Sequence, residues 1–344
     1  MEELFESWET PAPQPDLEAE LKKMRRSLRR RNWKIVLTSV ILVITVLIGA
    51  VKFGIPALEK QYWDPTVCTY LEDIPDLELT MVTYNELFGD GTHLMSLDIQ
   101  KTGFADYTLN AVFCDWARKD YLTELSCRNA SISKGALHLP SRDWLSVDYG
   151  QFLRPKSSSG QEQAAITNRH TREILKALPE YIDVYACITF PEDLTMEQLL
   201  QLTYRSQGKV DFLWAVLRIG KENEYYSRCG VHLTDYRSDT YDPAFWEDSA
   251  YPKLFVDRWN WDESDMEQHI QSMLRFSADQ VLNGTGILPH DDCPNYYLQV
   301  LDYMEENGIK TYGAYVLTSP QTLLKMLDDN TAVCISLQDA VIGL

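Results

Sequence analysis

The run Ile35 to Val51, IVLTSVILVITVLIGAV, constrains this chain more than any other feature. It carries no charge, no Asn and no Gln, and only Thr38, Ser39 and Thr45 interrupt it as small polar residues. As a helix, at about 1.5 Å per residue, it covers roughly 25 Å, just under a hydrocarbon core of about 30 Å. The flanks make up the difference. Lys34 and Lys52 can snorkel, Phe53 to Leu58 is apolar apart from Gly54 and Pro56, and Trp33 and Tyr62–Trp63 suit the two interfaces. One spanning helix over residues 35–55 is therefore expected, ended by Gly54 and Pro56. A buried core helix is disfavoured by an apolar run with no charged face. A cleaved leader is the stronger competitor, since Ile48-Gly49-Ala50 offers a small-residue site. Such a leader would have an acidic, Pro-rich head and an apolar run longer than the usual 7 to 15 residues.

The flanking charge sets an orientation. Lys22, Lys23, Arg25, Arg26, Arg29, Arg30, Arg31 and Lys34 precede the run, and Lys52 and Lys60 follow it closely. The positive-inside rule then keeps residues 1–34 in the cytoplasm and exports the remainder. Of the net charge of −19, nearly all lies after the run. An exterior that acidic argues against nucleic acid as an external partner. All seven cysteines also lie beyond the run: Cys68, Cys114, Cys127, Cys187, Cys229, Cys293 and Cys334. Export permits disulfides, and the odd number leaves at least one thiol free. Most are expected to be small buried apolar residues, with Cys187 and Cys334 inside strand-like runs.

In the tail, Leu4, Phe5 and Trp8 can share one face of a helical turn that Pro11, Pro13 and Pro15 stop. They read either as a docking motif or as a flexible end. Asp16 is a plausible N-cap, with Glu18 and Glu20 in the favourable first turn. Leu17, Leu21, Met24 and Leu28 then recur at 4-3-4 spacing, an apolar stripe on a charged helix. The stripe has three readings: a partner-binding helix, a basic helix lying on anionic membrane lipid, or an extension of the span that supplies its topogenic charge.

After the span, residues 56–165 read as strand-rich. Leu77–Tyr84, His93–Ile99, Tyr107–Trp116 and Tyr121–Cys127 are the expected strands, with a tight turn at Gly89-Asp90-Gly91. The polar stretch 155–163, around KSSSGQEQ, reads as a linker. Over 166–344 the pattern alternates. Helix Arg172–Leu178, strand Ile182–Phe190 broken by Pro191, helix Thr195–Leu202 and strand Val210–Leu217 form one unit. Helix Tyr296–Glu306, strand Lys310–Leu317, helix Gln321–Leu327 and strand Ala332–Leu337 form a second. Asn307-Gly308 reads as the C-terminal cap of Tyr296–Glu306. Two such β-α-β units in one sheet give a ferredoxin-like arrangement, with residues 219–295 inserted and a helix at Asp262–Leu282. Strands of one unit that are neighbours must pair parallel. The expected fold class is thus α+β: a single transmembrane helix plus an extracytoplasmic α+β domain.

The stretch Glu20–Leu47 (ELKKMRRSLRRRNWKIVLTSVILVITVL), Leu178-Pro179-Glu180 before Val184-Tyr185, and Val210-Asp211-Phe212-Leu213-Trp214 resemble bacterial sigma factor regulators. So do Leu301-Asp302-Tyr303-Met304-Glu305-Glu306-Asn307-Gly308, Tyr312-Gly313 and Ser319-Pro320. These regulators are membrane-bound anti-sigma factors of extracytoplasmic-function sigma factors, with N- and C-terminal sigma-regulator modules. The resemblance covers the tail, the span and about the last 180 residues, and is weaker over 60–165. It implies that the cytoplasmic part holds a sigma factor, that an external domain senses the envelope, and that Leu17, Leu21, Met24, Leu28, Leu4, Phe5 and Trp8 are the partner-binding candidates. For want of any motif of enzymatic specificity, no enzymatic activity and no cofactor are expected. The tail lacks Cys and His, so the zinc-type helical domain of other anti-sigma proteins is absent. A tail this short covers a small surface, and strong sequestration calls for a homo-oligomer or a second membrane protein. The other readings are an envelope scaffold and a membrane-anchored ligand-binding domain.

Motifs with chemical specificity are missing: no P-loop, G-x-S-x-G, H-E-x-x-H or complete EF-hand loop occurs. His290-Asp291-Asp292-Cys293 is the densest ligand-type cluster and reads as a polar loop before the next helix. Asp262, Glu263 and Asp265 read as a helix start rather than a calcium site, and His170 as a surface residue. Phe212 and Trp214 are expected on one face of a strand and Leu213 on the other, as core.

Overall fold

The computed structural model describes residues 15–89, 92–115, 125–139, 152, 158–206, 208–220, 229–233, 246, 249–256, 261–282 and 295–342. The chain divides into two compact units, Met1–Tyr62 and Trp63–Leu344.

The first unit is helical. α1 runs from Pro15 to Gly49, widens into a π-turn at Ala50–Gly54, and resumes as α2, Ile55–Glu59. Asp16 lies in the first described turn of α1. Gly54 and Pro56 do not end the helix. The Ile55 amide reaches the Ala50 carbonyl, and Pro56 falls in the first turn of a new segment, where its missing N–H costs no bond. The stretch Ala19–Glu59 is long and apolar enough to cross a membrane.

The second unit starts from a buried helix, α3 (Asp76–Phe88). This corrects the strand expected at Leu77–Tyr84. Ten of its thirteen residues are buried, so its apolar residues show no one-sided 3.6-residue period and read like a strand. Asp76 and Glu78 sit in its first turn, after an extended Pro75. The first sheet follows as an antiparallel meander: β1 (Thr92–Gly103), β2 (Asp106–Asp115), β3 (Leu125–Ser133) and β4 (Ala136–His138). Residues 90–91 and 121–124, within the expected turn and the expected strand Tyr121–Cys127, lie outside the described residues. Tyr107, Leu109, Ala111 and Phe113 alternate inward along β2.

α4 (Ser158–Ala177) takes in residues 158–163 of the stretch expected as a linker, and 155–157 lie outside the described residues. Its first turns are exposed and hence polar, while Ala164, Thr171 and Leu175 are buried. β5 (Ile182–Thr195) continues through Pro191, because its pairing with the later strand β8 skips from Thr189 to Leu194. Proline occupies the bulge, where no ladder donor is needed. A reciprocal cap then starts α5 (Met196–Ser206). The Thr195 amide donates to Gln198 Oε1 (2.9 Å) and the Gln198 amide to Thr195 Oγ1 (3.2 Å).

The remaining elements are β6 (Val210–Leu217), β7 (Gly230–His232), α6 (Glu263–Leu282), α7 (Tyr296–Asn307), β8 (Lys310–Thr318), α8 (Pro320–Asp328) and β9 (Cys334–Ile342). The second sheet has the order β7-β6-β8-β5-β9, antiparallel throughout. β5 and β6 are not neighbours, since β8 lies between them, and β5 likewise separates β8 from β9. The overall class is α+β with antiparallel sheets. α3 packs against β1, β7 and α6, joining the two sheets in one unit, while α4 and α8 pack on β9 and α5 on β5 and β6.

The main core runs through both sheets, and a smaller one lies around Tyr185, Leu213, Trp214, Val216 and Tyr315. Phe212 belongs to the first core, and Leu213 and Trp214 both to the second. The expected alternation fails because the β6–β8 register shifts between Phe212 and Trp214. At such a bulge consecutive side chains can share a side. Gly230 is part of the same packing, since a Cβ there would lie 2.0 Å from Trp214 Cζ2.

Candidate functional site

The candidate interaction stripe is laid out by α1. Leu21, Met24 and Leu28 are 47%, 59% and 52% exposed, at three- and four-residue spacing on one side of the helix. Leu17 lies on the same helix. Leu4, Phe5 and Trp8 lie outside the described residues. The structure thus leaves the Leu21–Leu28 part of the stripe uncovered by the described chain.

No group of three or more His, Cys, Asp or Glu able to hold a metal occurs among the described residues. His290-Asp291-Asp292-Cys293 lies outside them. Asp262 caps α6: its Oδ1 accepts from the Asp265 amide at 2.9 Å, and Asp265 pairs with Lys253 at 3.2 Å. Those carboxylates have local work as a helix start. His170 is exposed on α4.

Three of the described thiols are shifted away from reactivity. Burial pushes Cys229 far up and Cys334 up to about 11. Desolvation, and then the charges of Asp76 and Asp73, raise exposed Cys68. Each shift runs opposite to that of a nucleophilic cysteine. Among the described cysteines Cys187, Cys229 and Cys334 are buried, Cys114 is half-buried and Cys68 is exposed.

Three polar constructions escaped the reading of the sequence. In the first, His269 Nδ1 lies 2.8 Å from the Lys253 carbonyl and Nε2 lies 3.0 Å from Glu86 Oε1, with both side chains buried. A carbonyl only accepts, so Nδ1 carries a hydrogen, and the Nε2–Oε1 contact then holds one shared proton. The Trp214 indole donates to the Glu86 carbonyl at 2.8 Å. Together these bonds tie α3 to α6 and β6.

In the second, Arg218 grips Asp193 through two parallel bonds of 2.7 and 2.5 Å, with its guanidinium 4.6 Å from the Tyr312 ring centre. The clamp closes the end of β6 onto the bulge that holds Pro191 and Asp193. The third is a pocket of about 260 Å³ lined by Trp63, Asp64, Tyr70, Asp76, Leu77 and Gln280, among others. Burial pushes Asp64 up, but bonds from the Thr66 amide and hydroxyl and from Tyr107, with the Lys101 charge, outweigh it and hold the carboxyl below its usual range. Asp76 accepts from the Thr69 amide at 2.7 Å. With two carboxylates, aromatic rings and no basic lining residue, the pocket suits a small cation with an apolar body.

The Arg218–Asp193 and His269–Glu86 pairs join residues 25 and 183 apart, which leaves no spacing to detect. No family model, no curated protein and no solved structure matches the chain.

Proposed function

We propose that the chain is a single-pass membrane regulator of the anti-sigma type. An extracytoplasmic sensor unit controls an extracytoplasmic-function sigma factor through the short cytoplasmic tail. The observation that carries this reading is the exposed Leu21–Met24–Leu28 stripe on a helix that runs without a break into the apolar stretch. An external event can then bias whether the stripe is free, paired or bound. The N-terminus is cytoplasmic in this reading, on the strength of the eight basic residues before the span. The ferredoxin-like reading of the sensor unit is supported by the antiparallel order β6-β8-β5-β9, in which each β-α-β unit is split by a strand of the other. No chemistry is required of the protein.

The test is a crosslinking pull-down from cells expressing the full chain, against a chain lacking residues 1–31 with lysines added before Trp33. Capture of a sigma factor that depends on the tail supports the reading. No capture, or equal capture without the tail, ends it. The pocket at Trp63–Asp76 favours one second reading, a membrane-anchored unit that binds a small organic cation.

A further inference from the structure

The apolar stripe of the tail does not stop at the membrane. With Leu21 and Leu28 at position a of a heptad and Met24 at d, α1 carries the same register forward without a break. Ile35, Leu42 and Gly49 are its later a positions, and Arg31, Thr38 and Thr45 its d positions. Between Ile35 and Gly49 only four residues are not large and apolar: Thr38, Ser39, Thr45 and Gly49. They fall at d, e, d and a. Small residues let two helix backbones approach closely in lipid, where apolar area alone gives no preference for another helix. The threonines are suited to this. Thr38 Oγ1 donates to the Lys34 carbonyl at 2.8 Å and Thr45 Oγ1 to the Ile41 carbonyl at 2.8 Å, so neither brings an unsatisfied hydroxyl into hydrocarbon. Gly49 has ordinary helical dihedrals, and a Cβ there would meet nothing within 4 Å. The chain's own described structure gives no reason for a glycine, which lowers helix propensity by about 1 kcal/mol against alanine.

The charges agree independently. Of the eight basic residues, Lys22, Lys23, Arg26, Arg29 and Arg30 fall at b, c and f, away from the seam. In a parallel pair the g position of one helix faces the following e position of the other. That sets Glu20 against Arg25 of a second copy, twice by symmetry, and Ser27 against Asn32. Arg31 is the one charged seam position, and its long stem lets the guanidinium swing to lipid phosphates. We infer that residues 21–49 form a parallel, left-handed two-helix seam with a second copy of this chain. A copy is the fitting occupant because the bilayer fixes depth and direction, bringing the same small residues and the Glu20–Arg25 pairs into register automatically. The inference goes beyond the regulator reading and does not depend on it. A seam closed between copies also covers the stripe offered to a cytoplasmic partner.

The experiment is cysteine scanning of the full chain in cell membranes. All native cysteines lie at residue 68 or beyond, so the parent chain defines the background. Single cysteines replace residues 21 to 30 in turn, the membranes are oxidised, and disulfide dimers are measured. Maxima at 21, 24 and 28, with minima at 22, 26 and 29, are expected. On the Leu28→Cys background, Gly49→Leu lowers the yield about fivefold and Val43→Leu, at a b position, leaves it unchanged. Arg25→Glu lowers the yield, and adding Glu20→Arg restores it. A flat profile, maxima centred on Arg26, adducts to a different protein in place of dimers, or no rescue by the charge swap would overturn the seam.

Discussion

The two units treat large apolar side chains in opposite ways. In Met1–Tyr62 they are exposed: Leu42 at 66%, Val46 at 62%, Phe53 at 75%. In Trp63–Leu344, Trp214, Trp246 and Tyr315 are wholly buried. The second unit covers its apolar surface with its own chain, and its stability is set by internal packing. The described part of the first unit leaves its apolar surface uncovered by its own chain, so substitutions there should change the folding of the second unit little.

The comparison is broken or sharpened by substitutions on either side of it. The largest effect is expected from Trp214→Ala, which empties a packed site and removes the bond to the Glu86 carbonyl. Urea unfolding of the second unit should lose about 3–5 kcal/mol. His269→Ala should follow at about 3 kcal/mol, since it removes the ring between Glu86 and the Lys253 carbonyl in a buried setting. Gly308 holds φ 74 and ψ 157, a region essentially restricted to glycine. Gly308→Ala should cost about 1–3 kcal/mol in the same assay.

A smaller effect is tied to pH. The Asp64 carboxyl is held below the ordinary aspartate range, so its contribution is present above about pH 4 and lost as pH falls through the lower folded value. Asp64→Asn should make the unfolding midpoint less dependent on pH below about 4. Smallest of all, replacing Leu21 and Met24 together by Ser should leave the second unit's unfolding within about 0.5 kcal/mol of the parent, while it removes whatever the tail binds. A large loss of stability there would show that the stripe is packed like a core, and the contrast between the units would fail.

Much of the architecture could be read locally. The long apolar helix, the heptad stripe, strands β1, β2, β6 and β8, and the cap at Gly308 follow from hydrophobic period, β-propensity and turn chemistry, which neighbouring residues carry. The errors share one cause. α3 is covered on nearly every side, so burial erased its period, and the start of α4 is polar because it is exposed, not because it is a linker. Pro191 was read by its intrinsic habit as a breaker, and the bulge in β5 overrode it. The candidate stripe at Leu21–Leu28 was legible because spacing alone places it on one face. The Trp63–Asp76 pocket was not, since Gln280 reaches it from another helix.

By itself the sequence determined that this chain holds one helix able to cross a membrane, with a basic, apolar-striped approach to it, and that alternating helices and strands follow. Charge, hydropathy and short periods act within a few residues. Only the tertiary structure decided the strand order β7-β6-β8-β5-β9, the bulge that turns Leu213 and Trp214 to the same core, and the Glu86–His269 and Asp193–Arg218 pairs. Those depend on which distant segments meet. That choice is made by the fit of whole faces, and no single stretch of residues encodes it.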